Sequence, residues 1–173
     1  MKKLLGIVIL ALLWGTPSYS SSVEKEFLIK FDGICVQNID NIKMINTFAN
    51  TEKWINLPPE QAAMIAPRTK GPSYKAYGFF EKEVVYLIGI NDAENKNTCT
   101  MASSYNSIND IKSILKEFYK IELLHKDSQG IQNIEMYKVN LTQSFNNSGI
   151  LVLNYSDQTG YKFISISVMI DNG

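Results

Sequence analysis

Residues 74–103 read YKAYGFFEKEVVYLIGINDAENKNTCTMAS, and this stretch decides the fold class. Two aromatic and β-branched runs, Tyr74 to Phe80 and Val84 to Ile90, flank Glu81-Lys82-Glu83. That spacing predicts a β-hairpin, because pleated strands favour such side chains and the charged triplet supplies a turn. Asn91 to Asn97 reads as a polar turn, and Thr98 to Ser103 as a third strand carrying Cys99.

Upstream of the hairpin, Phe27-Leu28-Ile29 suggests a short strand or lead-in. From Asp32, a candidate N-cap, Cys35, Ile39, Ile42, Ile45 and Ala49 recur at three- and four-residue steps, which predicts one apolar helical stripe with Met44 and Phe48 beside it. Pro58-Pro59-Glu60 suits a first helical turn, so Pro59 to Ile65 reads as a short helix ended by Pro67. Arg68 to Ser73 is a loop.

Downstream, Ser107 with Asp110 resembles a capping box ahead of Ile108, Ile111, Ile114, Leu115 and Phe118, which share one helical face up to about Lys120. Strands are predicted at Ile134 to Leu141, Ile150 to Tyr155 and Tyr161 to Ile170, with a polar loop at Gln143 to Gly149 and a turn at Asp157 to Gly160. The expectation is an α+β domain: a mostly antiparallel sheet with two main helices packed on one face. The order helix-then-three-strands occurs twice, a tandem arrangement without residue-level identity between the halves.

The chain has 173 residues, 45% hydrophobic and 20% charged, which suits one domain with a sizeable core. With 17 basic and 17 acidic side chains it has no charge excess to attract nucleic acid or an anionic membrane surface. Met1-Lys2-Lys3, an apolar run from Leu4 to Trp14, the helix-breaking Gly15-Thr16-Pro17 and the small Ser18 and Ser20 together read as a secretory signal cleaved after Ser20. The apolar run is shorter than the about 20 residues that span a bilayer. Residues 1–20 are therefore expected to be a signal peptide and 21–173 a single domain, periplasmic or secreted, with no membrane span after cleavage.

Export places Cys35 and Cys99, the two cysteines, where disulfides persist, and one bridge between them is expected. A catalytic or redox thiol would need a neighbouring base or a Cys-x-x-Cys pair, and neither is visible. His125, the one histidine, is expected at the end of the second helix or facing solvent, and no Gly-x-Ser-x-Gly elbow accompanies it. Glu81/Glu83 and Asp92/Glu94 pair carboxylates in predicted turns, where acids are solvated. Asn91-Asp92-Ala93-Glu94-Asn95 has the oxygen density of a calcium loop without the glycine and terminal glutamate of an EF-hand, so it reads first as a hairpin loop, with a weak extracellular cation site as the alternative. No metal site or cofactor is expected.

Tyrosine is the more suggestive residue. Tyr74, Tyr77, Tyr86, Tyr137, Tyr155 and Tyr161 fall on candidate strands, where they fill a helix–sheet interface or build a recognition surface. Arg68, with Tyr74 and Tyr77, is the candidate partner-binding edge, beside the rigid Pro67, Gly71 and Pro72.

The series Cys35, Trp54-x-x-Leu57-Pro58, Ala66-Pro67, Gly71, Tyr74-x-Ala76-Tyr77, Cys99-Thr100 resembles a family of small exported proteins of proteobacteria, some of them described as lipoproteins. The resemblance implies a periplasmic address and the disulfide, and carries no activity. The chain departs from the lipoprotein members in having no cysteine near the cleavage point. The function expected first is a non-enzymatic binding module of the bacterial envelope, of inhibitor or immunity type, with a protein or envelope component as partner. A carboxylate-dependent hydrolase of an envelope polymer and a carrier of a small molecule or lipid are the alternatives.

Overall fold

The computed structural model describes residues 22–65, 74–93, 96–141, 148–158 and 160–171. The expected signal sequence lies outside these residues. The chain forms an α+β fold around one eight-stranded sheet in which every neighbouring pair is antiparallel. In chain order the elements are α1 (Val23–Phe31), a π-turn (Asp32–Val36), a 3-10 turn (Ile39–Asn41), α2 (Lys43–Thr51), β1 (Ile55–Asn56) and α3 (Pro59–Ile65). Strands β2 (Lys75–Glu81), β3 (Val84–Ala93) and β4 (Lys96–Ser104) follow, then α4 (Ile108–Phe118) and strands β5 (Ile121–Gln129), β6 (Gln132–Val139), β7 (Gly149–Gln158) and β8 (Tyr161–Asp171). Across the sheet the order is β1-β2-β3-β4-β8-β7-β6-β5, so the last strand of each half joins the two halves.

Strand alternation divides the sheet into two faces. Tyr77, Ile88, Met101, Ile166 and Leu153 lie opposite one another along the register and pack with Phe27, Phe31, Ile45, Ile111 and Leu115 from α1, α2 and α4. Ala76, Leu87 and Ala102 point the other way, and Ala62 and Ile65 of α3 pack on them. Each fully buried Ile or Leu in the larger cluster contributes roughly 1.5–3 kcal/mol. The sheet is thus covered on both faces in its first half. That corrects the expectation of two main helices on one face: the described residues hold four α-helices, one of them on the opposite side.

Three further readings change. Phe27-Leu28-Ile29 is helical, within an α1 capped by Ser22, whose hydroxyl accepts from the Lys25 amide. Asp32 is no N-cap but continues α1 into the π-turn, and the stripe Cys35 to Ala49 is carried by three successive helical pieces with all five of its residues buried. Among the described residues the second half has four strands rather than three, because Ile121–Gln129, which follows the expected helix end near Lys120 and for which no element is predicted, pairs with β6.

Side chains join the pieces. Glu24, buried on α1, accepts from the Asn106 and Ser107 amides at 2.8 and 3.0 Å, placing a carboxylate at the N-terminus of α4, where its charge is favoured. Ser107 caps the same helix by accepting from the Asp110 amide, as its sequence predicts. Cys35 of the π-turn is bonded to Cys99 on β4, so the first helical layer is covalently tied to a central strand. The β2–β3 turn has positive φ at Lys82 and Glu83, the geometry of a tight two-residue hairpin, and ion pairs Lys30–Glu81 and Lys82–Glu26 hold its base against α1. Trp54, Phe79 and Tyr86 stack at centroid distances of 4.8 and 5.0 Å beside that hairpin.

Candidate functional site

Among the described residues, α3 is the helix that packs on the second sheet face. Between α3 and the β5–β6 turn runs a groove of about 370 Å³. Its floor follows from the register: Asn154 opposes Ser165, Phe163 opposes Ser156, and Ser156 opposes Gln132, all on one face by alternation. Leu57, Gln61 and Ile65 form the wall on the α3 side, Leu87 lies on β3, and Ile131 closes the far side. Small residues, Gly78 and Ala102, flank Leu87 across the sheet and keep the floor low.

The described lining is uncharged. Apolar surface from Leu57, Ile65, Leu87, Ile131 and Phe163 alternates with the amides of Gln61, Gln132 and Asn154 and the hydroxyls of Ser156 and Ser165. Ser156 is buried, and its Oγ has no hydrogen-bond partner among the described residues, although its carbonyl accepts from the Tyr105 hydroxyl at 3.0 Å. A buried hydroxyl without a partner costs roughly 1–3 kcal/mol, which a bound polar group would recover. Beyond the groove the same face continues onto an exposed cross-strand pair, Phe80 (67% exposed) opposite Val85 (41%), with Ile55 (56%) beside them on β1.

A second polar cluster lies on the other face, under α4. Glu135 of β6 is buried and accepts from Lys112 at 2.8 Å and from the Tyr137 and Tyr155 hydroxyls at 2.5 and 3.2 Å, with Lys126 at 3.3 Å. Burial pushes the Glu135 pKa up, but the hydrogen bonds from Lys112 and Tyr137 and the nearby positive charge outweigh it and hold the carboxyl down at about 2. The same neighbourhood raises the Tyr137 hydroxyl, first through burial and then through Glu135. This carboxylate is locked by internal partners and fastens α4 to the second half of the sheet.

The sequence-based site residues scatter. Arg68 lies outside the described residues, together with Pro67, Gly71 and Pro72. Tyr77 is buried on the helical face, donating to Asn46 Oδ1 at 2.6 Å. Tyr74 is half-buried near the opposite face, donating to the Ala62 carbonyl at 2.5 Å, and burial pushes its hydroxyl up to about 12. The two tyrosines therefore do not share a surface. Tyr86, Tyr137 and Tyr155 are buried in the helix–sheet core. His125 stands exposed on β5, not at a helix end. Glu81 pairs with Lys30, and β3 continues through Asn91 to Ala93, so a strand occupies most of the proposed oxygen-rich loop.

Reading the alternation of β2 and β3 strictly would have found Phe80, Val85 and Leu87 on one face. The groove itself was not readable, since β8 and β7 reach it only through long-range pairing. Among the described residues no three His, Cys, Asp or Glu side chains gather as metal ligands, and no helix is long and apolar enough to cross a membrane. Comparison with family models, curated proteins and solved structures finds no match to the chain.

Proposed function

We propose that this protein is an exported, non-enzymatic binding module whose α3-side groove takes an extended, uncharged segment of a partner polypeptide. The observation that carries this reading is the continuity of the groove with the exposed Phe80–Val85 pair. Across this face Phe80 on β2 and Gln132 on β6 are five strand spacings apart, about 24 Å, the length of roughly seven extended residues. Apolar side chains across that face would seat alternate partner residues, while Gln61, Gln132, Asn154 and the unpartnered Ser156 hydroxyl would pair with peptide groups. The absence of carboxylates from the described lining favours binding over acid–base hydrolysis of a polymer.

The buried Cys35–Cys99 bridge supports an oxidising, extracytoplasmic address. The mirrored strand order about the β4–β8 seam supports the tandem reading of the two halves. A small-molecule carrier is the second reading, because about 370 Å³ is within the range of such sites.

Selection of a displayed random-heptapeptide library against the purified domain tests the proposal. Enriched peptides should be uncharged with apolar anchors at alternate positions. Their binding should weaken with Phe80→Ser and with Gln132→Lys, two surface changes that leave the core intact. No enrichment, or enrichment indifferent to both substitutions, would refute it. Release of a bound small molecule from the purified protein in native mass spectrometry would favour the carrier instead.

A further inference from the structure

The two ends of the sheet differ. At one end β1 has two residues, short enough to offer little backbone for pairing. At the other, β5 has nine, and among the described residues nothing pairs with its outer side. It is exposed over most of its length, including Leu123 (53%) and Leu124 (51%). Charged side chains and a bulge usually keep such an edge from pairing, and β5 has both, with its register shifted between Leu123 and His125.

The charges here have a particular order. Reading Lys120-Ile121-Glu122-Leu123 against Leu124-His125-Lys126-Asp127 in reverse sets Lys120 opposite Asp127, Glu122 opposite His125, and Leu123 opposite Leu124. The bulge makes this register workable. Without the extra residue, Glu122 and His125, an odd number apart, would point to opposite faces. With it they share one, since their partners on β6, Lys138 and Met136, are two residues apart. Two copies of the strand related by a two-fold axis between Leu123 and Leu124 would therefore bring unlike side chains together at both symmetric positions.

We propose that β5 is a homodimerisation edge: two copies of this chain pair antiparallel through it, forming one sheet of sixteen strands with the leucines at the centre and Glu122 against His125 of the second copy on each side. The contact uses the outer side of β5, none of whose residues line the groove, so it is argued without the groove reading.

Sedimentation equilibrium of the disulfide-intact protein at up to about 100 µM, enough to populate even a weak dimer, tests the pairing. The wild type should be dimeric in that range. Glu122→Lys should weaken the dimer about tenfold, the size expected when two favourable carboxylate–imidazole cross-strand pairs are lost. The combined exchange Glu122→Lys with His125→Glu should restore it, which only the antiparallel register explains. Circular dichroism confirms that each variant is folded. A monomeric wild type, a dimer indifferent to Glu122→Lys, or a double variant no tighter than the single would each overturn the proposal.

Discussion

Tyr74 lies against the backbone of Gly89: a Cβ on that glycine would stand 2.9 Å from the Tyr74 hydroxyl oxygen. That same hydroxyl donates to the Ala62 carbonyl in α3. A glycine on a central part of β3 thus leaves the room in which a tyrosine from the start of β2 anchors the helix on the second sheet face.

Gly89→Ala should displace the Tyr74 ring and loosen α3. The expected loss is about 1–3 kcal/mol of stability, the usual range for overpacking. Tyr74→Phe alone should cost about 1 kcal/mol through its lost hydrogen bond. Because both act on one contact, the double variant should lose less than the sum. Urea denaturation of the three variants checks this, with amide exchange in Pro59–Ile65 as the local readout. Full additivity would show that the two residues act separately.

Glu135 has a depressed carboxyl pKa in the folded protein, so its contribution is present above the ordinary carboxylate value and lost as pH falls toward about 2. Stability should drop by about 3 kcal/mol from this group alone between roughly pH 5 and pH 2. Glu135→Gln should be less stable at pH 7 and have a flatter profile in that window. Thermal unfolding of both proteins from pH 7 to pH 2 measures the difference. Parallel profiles would show that other carboxylates carry the acid sensitivity.

The Cys35–Cys99 bridge closes a separation of 64 residues, and both cysteines are fully buried. By chain entropy it stabilises the fold by about 4 kcal/mol at most. The native protein should resist mild dithiothreitol while the denatured one is reduced quickly, as followed by thiol alkylation and mass. Cys35→Ala with Cys99→Ala should lower the urea midpoint in proportion. Equal reduction of native and denatured protein would mean that the bridge is not enclosed.

Lys82 and Glu83 both adopt positive φ in the β2–β3 turn, a conformation that favours Asn and Gly. Glu83→Gly should therefore stabilise the protein by up to about 1 kcal/mol, since the strain removed outweighs the flexibility gained in the unfolded chain. Lys82→Asn should be close to neutral, because it relieves a similar strain but removes the exposed pair with Glu26. Melting temperatures decide. A destabilised Glu83→Gly variant would show that the glutamate has a role in the turn that its backbone does not reveal.

Much of the architecture was legible because it is written in short-range pattern. The β2–β3 hairpin, α3 and the Ser107-capped α4 all declare themselves within about ten residues, through alternation, proline placement and capping. β5 was not legible, since an edge strand with almost no buried side chains shows no apolar alternation. Phe27–Ile29 misled for a related reason: three apolar residues in a row suit a strand or the buried side of a helix, and only the packing of Phe27 and Leu28 in the core decides. Tyr74 and Tyr77 are close in sequence, yet residues three apart along an extended chain point to opposite sides.

By itself the sequence determined which segments can be strands or helices, which side chains are apolar enough to form a core, and that two sulfurs were present to be joined. Tertiary structure alone decided that β4 meets β8, that α3 takes the face opposite the other helices, and that β5 is left at an edge. The physical reason is range. Backbone preference and alternation act between near neighbours, whereas strand partners and covered faces are settled by competition among distant surfaces for burial, and no local pattern records which of them wins.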